Sequence, residues 1–192
     1  MALTIDELKQ LLEHEDFRYF MDPRRPALLL GTAGLHGKYQ FMIILELEGQ
    51  FVQFRTMGYL HCPADHPHLT EVLKVLGAMN YRKRLAKFGW DPADGEIMVY
   101  ADMWLMDNKV TQPQFNRLLH NYLPCVDLGC HRISQTLQTG KDPGEEDPEK
   151  SVADLLADGG RNLPPAIREL LKKLREGKGP DAPAKPPTFD RI

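Results

Sequence analysis

The chain has 192 residues, 42% of them hydrophobic and 27% charged, which is enough for one ordinary globular domain and a tail without disulfide or metal staples. A net charge of -3 and a pI near 6.2 exclude nucleic-acid binding by bulk electrostatics, because there is no domain-wide basic excess to displace counterions from phosphates. Cys62, Cys125 and Cys130 are too sparse and too odd a set for a disulfide framework, no signal-peptide pattern opens the chain, and the longest apolar run, 41–45, cannot span a bilayer. Reduced thiols, a cytoplasmic location and no membrane partner are therefore expected.

Thr4 followed by Glu7 forms a capping box ahead of Ile5, Leu8, Leu11 and Leu12 at helical spacing, so a first helix is predicted over residues 4–15. Beyond Pro23 and Pro26 the period changes. Residues 27–33, 39–48 and 51–59 are rich in β-formers and are divided by Gly-containing turns at 34–37 and 49–50, the pattern of a three-stranded antiparallel meander with one wet face. Pro67 then opens a second helix whose apolar stripe is Leu69, Val72, Leu73, Leu76 and Met79, ending near Arg84. The basic residues at its exit, Arg82, Lys83, Arg84 and Lys87, complement the negative end of the helix dipole.

A hairpin is expected next, 88–91 and 96–106, across the turn Asp91-Pro92-Ala93-Asp94-Gly95. Thr111 and Gln114 form another capping box, followed by the stripe Phe115, Leu118, Leu119 and Tyr122; Pro124 is expected to interrupt or kink this third helix, with Ile133 and Leu137 resuming it toward Gly140. From there the composition shifts. Residues 140–160 read as an acidic linker, and 161–192 as an amphipathic helix carrying Ile167, Leu170, Leu171 and Leu174, then a Pro-rich end with Phe189 and Ile192.

Between Val75 and Asp127 the chain carries Leu76, Met79-Asn80, Lys87-Phe88-Gly89-Trp90-Asp91, Gly95-Glu96-Ile97, Asp107, Val110-Thr111, Phe115, Leu118 and Val126-Asp127. With the helix and meander before them, these resemble the YbjN-like group of the type III secretion chaperone-like superfamily over residues 1–139. The resemblance implies an α+β fold of order α-β-β-β-α-β-β-α, with a twisted antiparallel sheet of about five strands packed on helices. It also implies bacterial origin, homodimerisation and a chaperone- or adaptor-like protein partner, while fold alone fixes no activity.

No catalytic constellation stands out. A Cys–His nucleophile drawn from Cys62 with His120, or Cys130 with His131, lacks an orienting third group. Gly31-Thr32-Ala33-Gly34 with Gly37 is no phosphate loop, since it joins two strands and opens no helix. Asp91, Asp94 and Glu96 are explained by their turn.

The expected function is therefore a non-enzymatic protein- or peptide-binding module that needs no cofactor, using a sheet face or edge. Partner contact falls to Trp104 in the second hairpin and, in the tail, to Leu170, Leu171, Leu174, Phe189 and Ile192; the partner is a protein or peptide, and the chain's own tail is one version of it. The alternative is a zinc-binding structural or sensor protein with His61, Cys62, His66 and Cys130 as ligands, though their spacing matches no standard zinc template.

Overall fold

A computed structural model describes residues 3–105 and 109–145. By its contacts the chain divides into a unit of residues 1–148 and another of 149–192. Met106 and Asp107, and the tail candidates Leu170, Leu171, Leu174, Phe189 and Ile192, lie outside the described residues.

The order of elements is α1 (Ile5–Glu13), β1 (Tyr19–Met21), β2 (Ala27–Ala33), β3 (Lys38–Glu46), β4 (Phe51–Met57), β5 (Leu60–His61), α2 (Leu69–Arg82), β6 (Lys87–Trp90), β7 (Glu96–Trp104) and α3 (Gln112–Thr139). The class is α+β as expected, with seven strands among the described residues forming one antiparallel sheet. Two strands are additional to the expected meander and hairpin. β1 pairs along β2, with Phe20 opposite Leu29. β5 continues β4 beside β7: Arg55 lies opposite Tyr100 and Leu60 opposite Ile97, so two extra residues bulge at Gly58, whose φ of 53° suits a residue without Cβ. Strands this short carry too few alternations to show in a sequence.

Both capping boxes form. Thr4 Oγ1 accepts from the Glu7 N–H and the Glu7 carboxylate accepts from the Thr4 N–H; Thr111 and Gln114 repeat the arrangement at α3. Pro124 does not split α3, which is one helix of 28 residues. A proline removes one N–H donor and crowds one preceding turn. Here the turns on either side are held by burial of Leu118, Leu119 and Tyr122 before it and of Val126 and Ile133 after it.

Alternation sends Val52, Phe54 and Thr56 of β4, and Ile97, Val99 and Ala101 of β7, to one face. There they meet Leu8 and Leu12 of α1, Val72 and Leu76 of α2, and Phe115, Leu119 and Tyr122 of α3 in a single core. Full burial of each such side chain contributes about 2 kcal/mol. A second, smaller cluster, Ala27, Met42 and Ile44 with Met57 packed against it, is made of strand residues alone and lies on the opposite face.

Candidate peptide-binding face

The helices cover one side of the sheet, which makes the other side the functional question. Register fixes its composition: Phe20, Leu29, Met42, Arg55, Tyr100 and Lys87 form one row from edge to edge, because each lies opposite the next on the neighbouring strand. Phe20 at the β1 end of that row is 82% exposed. Arg25, from the turn before β2, lays its guanidinium on the Met42 sulfur at 3.0 Å and is held by Asp22 at 3.0 Å. Arg55 pairs with Glu96 at 3.3 Å. The face thus carries a small apolar patch, Ala27, Met42 and Ile44 with Met57, among polar neighbours, and basic side chains are anchored beside it.

At one end of this face a cleft of about 600 Å³ opens among the β2–β3 hairpin, the Gly58 bulge and α3. Gly31, Ala33, Gln40 and Met57 line it from the helix-free side, and Tyr39, Tyr59 and Cys130 from the helix side. At Gly31 the floor is bare backbone, and a Cβ placed there would touch nothing within 4 Å. Such a floor lets another chain's side chain sit close to the sheet.

The wall of the cleft is braced by Asp127 on α3. Its buried carboxylate accepts from the Leu35 N–H at 2.8 Å, the His36 N–H at 2.9 Å and the Tyr39 hydroxyl at 2.8 Å. Gly34 makes this approach possible, since a Cβ there would overlap the carboxylate. Backbone donors do therefore converge in the glycine-rich segment set aside as a phosphate loop, but an internal carboxylate occupies them. Beside it the His36 and His131 rings stack at 4.3 Å, and the Tyr59 hydroxyl donates to the Val126 carbonyl. Burial, then the hydrogen bond to Asp127, pushes the Tyr39 hydroxyl far above its ordinary range; burial does the same to Tyr59.

Burial also raises the Cys130 thiol, with Tyr39 and Ser134 partly opposing it, and it raises Cys62 and Cys125. A thiol held protonated is a poor nucleophile and a poor metal ligand. The residues proposed for zinc are otherwise engaged. His61 Nε2 lies 2.6 Å from the Asp94 carbonyl, Cys62 is fully buried with its thiol directed to the Pro63 carbonyl, and His66 Nδ1 accepts from the His68 N–H at 3.1 Å. Among the described residues no group of three or more His, Cys, Asp or Glu side chains converges to hold a metal, so His61, Cys62, His66 and Cys130 are not brought together as a site. The loop residues instead support the β6–β7 hairpin: the Trp90 indole N–H donates to the Cys62 carbonyl at 2.8 Å, and the Cys62 N–H donates to the Gly95 carbonyl at 2.8 Å.

Trp104 stands at the other end of the helix-free face, 62% exposed, with its ring 4.9 Å from that of Phe51. The sequence singled out this residue; Gly31, Met57, Tyr39 and Asp127 it did not connect to a site. The signal for them was spatial, in the register of β2 on β3 and in the helix turn that faces the hairpin.

With this geometry in hand, a family model described as "YbjN: Putative bacterial sensory transduction regulator" matches residues 4–127. The chain belongs to the YbjN family. The fold agrees with the crystal structure of YbjN, a putative transcription regulator from E. coli, at TM-score 0.52 and 18% identity, covering 68% of this chain and 93% of that one. The HopA1-SchA chaperone-effector complex aligns at TM-score 0.43 and 11% identity over 62% of this chain and 86% of its own, and the ExsC-ExsE complex at TM-score 0.43 and 13% over 69% and 97%. No curated protein matches the chain. Among the described residues no helix is long and apolar enough to cross a membrane.

Proposed function

We propose that this YbjN-family chain is a non-enzymatic adaptor that holds an extended segment of a partner protein on the helix-free face of its sheet. The observation that carries the reading is the combination of the apolar patch on that face with the cleft at its end, lined by Gly31, Met57 and Tyr39. An extended segment needs backbone-deep access and a pocket for an anchoring side chain, and both are present. The protonated thiols and the carboxylate already engaged by three donors supply no nucleophile, base or metal centre. A regulator of sensory transduction, the description its family bears, acts in this reading by protein contact in the cytoplasm; the net charge of -3 disfavours direct nucleic-acid binding.

Homodimerisation belongs to the same proposal, because Phe20 and Met21 on the edge strand β1 are 82% and 51% exposed. Leu170, Leu171, Leu174, Phe189 and Ile192 are proposed as further partner contacts on sequence grounds. The test is a plug. Gly31→Leu fills the cleft without meeting any described atom at its Cβ, so it should weaken binding of a short peptide with one Leu anchor about tenfold while the melting temperature stays within about 2 °C. Unchanged binding by a folded Gly31→Leu protein overturns the reading.

A further inference from the structure

Resting on the reading of the helix-free face as a peptide-binding surface, we infer that its occupant is a partner segment carrying an apolar side chain for the cleft and a Lys or Arg about six residues away, seated against Trp104.

The face differs along its length. Met57, Arg55, Gln53 and Phe51 are the residues of β4 that point away from the helices, and Met57 lines the cleft while Phe51 packs on Trp104. Six residues of strand separate those ends, about 20 Å at about 3.3 Å per residue. An extended ligand lying along the strand advances at the same rate. Its two anchoring side chains are therefore about six positions apart.

Chemistry at the Trp104 end selects the second anchor. Glu46, Phe51 and Trp104 lie opposite one another in one row, and Asp102 stands two residues before Trp104 on the same face, hydrogen-bonded to Gln53 at 2.9 Å. Glu48 follows in the turn that joins Glu46 to Phe51. All three carboxylates are exposed. An open indole face bordered by carboxylates attracts a guanidinium or ammonium through both the ring quadrupole and Coulomb attraction, and repels Asp or Glu. Midway along, Arg55 is already paired with Glu96 and offers no equal pull on an acidic ligand.

The turn itself is unusual. Leu47, Glu48 and Gly49 take φ values of 49°, 54° and 84°, and left-handed backbone costs a non-glycine residue about 1–2 kcal/mol. That conformation leaves Leu47 56% exposed in the segment between Glu46 and Phe51. An apolar side chain held outward against its cost, next to the aromatic pair, suits the aliphatic stem of a Lys or Arg.

The experiment titrates the full chain with nine-residue Ser/Thr peptides carrying Leu at the second position and either Lys or Glu at the eighth. Emission from Trp104 is the readout, assigned by its absence in Trp104→Phe; the other tryptophan, Trp90, is held inside the hairpin by its bond to Cys62. The Lys peptide should shift the emission and bind about tenfold more tightly than the Glu peptide, with the difference fading in high salt. In the Glu46→Gln and Glu48→Gln double variant the two peptides should bind alike. Equal binding of both peptides to the natural chain overturns the charge preference and leaves the binding face standing. Failure of both peptides to bind at millimolar concentration overturns both readings. If Trp104 emission instead follows protein dilution and ignores peptide, the occupant is a second copy and the inference is wrong.

Discussion

Asp127 and Gly34 should be coupled so strongly that the pair behaves as one unit. Asp127→Ala leaves the Leu35 and His36 N–H groups and the buried Tyr39 hydroxyl without their common acceptor. Two of these donors are only part-buried and reach water after relaxation, so about 3 kcal/mol is expected in place of three full desolvation penalties. Gly34→Ala fails for a different reason: its Cβ would occupy the space of the carboxylate, driving Asp127 off the same donors, at about 2–3 kcal/mol. In the Asp127→Ala background that obstacle is gone. The double variant should then be little worse than Asp127→Ala alone, a coupling of about 2 kcal/mol. Urea unfolding of the four proteins measures it directly, and the single variants should melt about 6–9 °C lower at about 3 °C per kcal/mol. Additive effects, within about 0.5 kcal/mol, would show that the hairpin does not depend on this contact.

The ion pair closing α3 should make stability depend on pH in one direction. Hydrogen bonds from Arg132, at 2.7 and 2.6 Å, hold the Asp142 carboxyl below the usual carboxylate range, so its contribution is present above about pH 4 and is lost as pH falls through the lowered pKa. Asp142→Asn should accordingly cost about 1 kcal/mol at pH 7, a figure reduced for a carboxylate 37% exposed, and nothing near pH 2; a cost independent of pH in chemical unfolding would contradict this. Gly95→Ala should destabilise by about 2–3 kcal/mol, because its φ is 79° and a Cβ would lie 2.6 Å from the Cys62 carbonyl oxygen, with Asn at the same position no better than Ala if the clash dominates. All three thiols should react with iodoacetamide far more slowly than free cysteine at pH 7 and approach it only as pH rises past the ordinary thiol range, since burial raises each; mass spectrometry by site decides.

Local chemistry made most of the fold legible. Thr4 with Glu7 and Thr111 with Gln114 are signals contained within four residues, and both boxes close as read. The turn at Asp91 to Gly95 is equally local: the Ala93 N–H bonds Asp91 Oδ1 at 2.8 Å and the Glu96 N–H bonds Asp94 Oδ1 at 2.9 Å. Strand alternation placed Trp104 and Asp102 on the face away from Met103, which is where they lie. Pro124 does not interrupt the helix because its penalty is local, whereas the packing that keeps α3 continuous comes from β3, β4 and β7 through Phe41, Phe54 and Val99 around Tyr122.

The face was harder to read than the fold for a reason visible in Asp127 and Gly31. Asp127 meets Leu35 and His36 across more than ninety positions of sequence, and no periodicity within α3 marks a carboxylate that must face the core side; composition alone would send it to solvent. Gly31 is ambiguous in the same way, because a glycine in a strand weakens pairing whether or not anything approaches it. Only the register of β2 on β3 shows that Gly31 faces away from the helices, beside Gln40, with space above it that a Cβ would not fill. A residue that braces by reaching across the fold, and one that functions by what it lacks, leave the same mark on a sequence as residues that do neither. Their roles follow from the sheet that brings them within reach of one cleft.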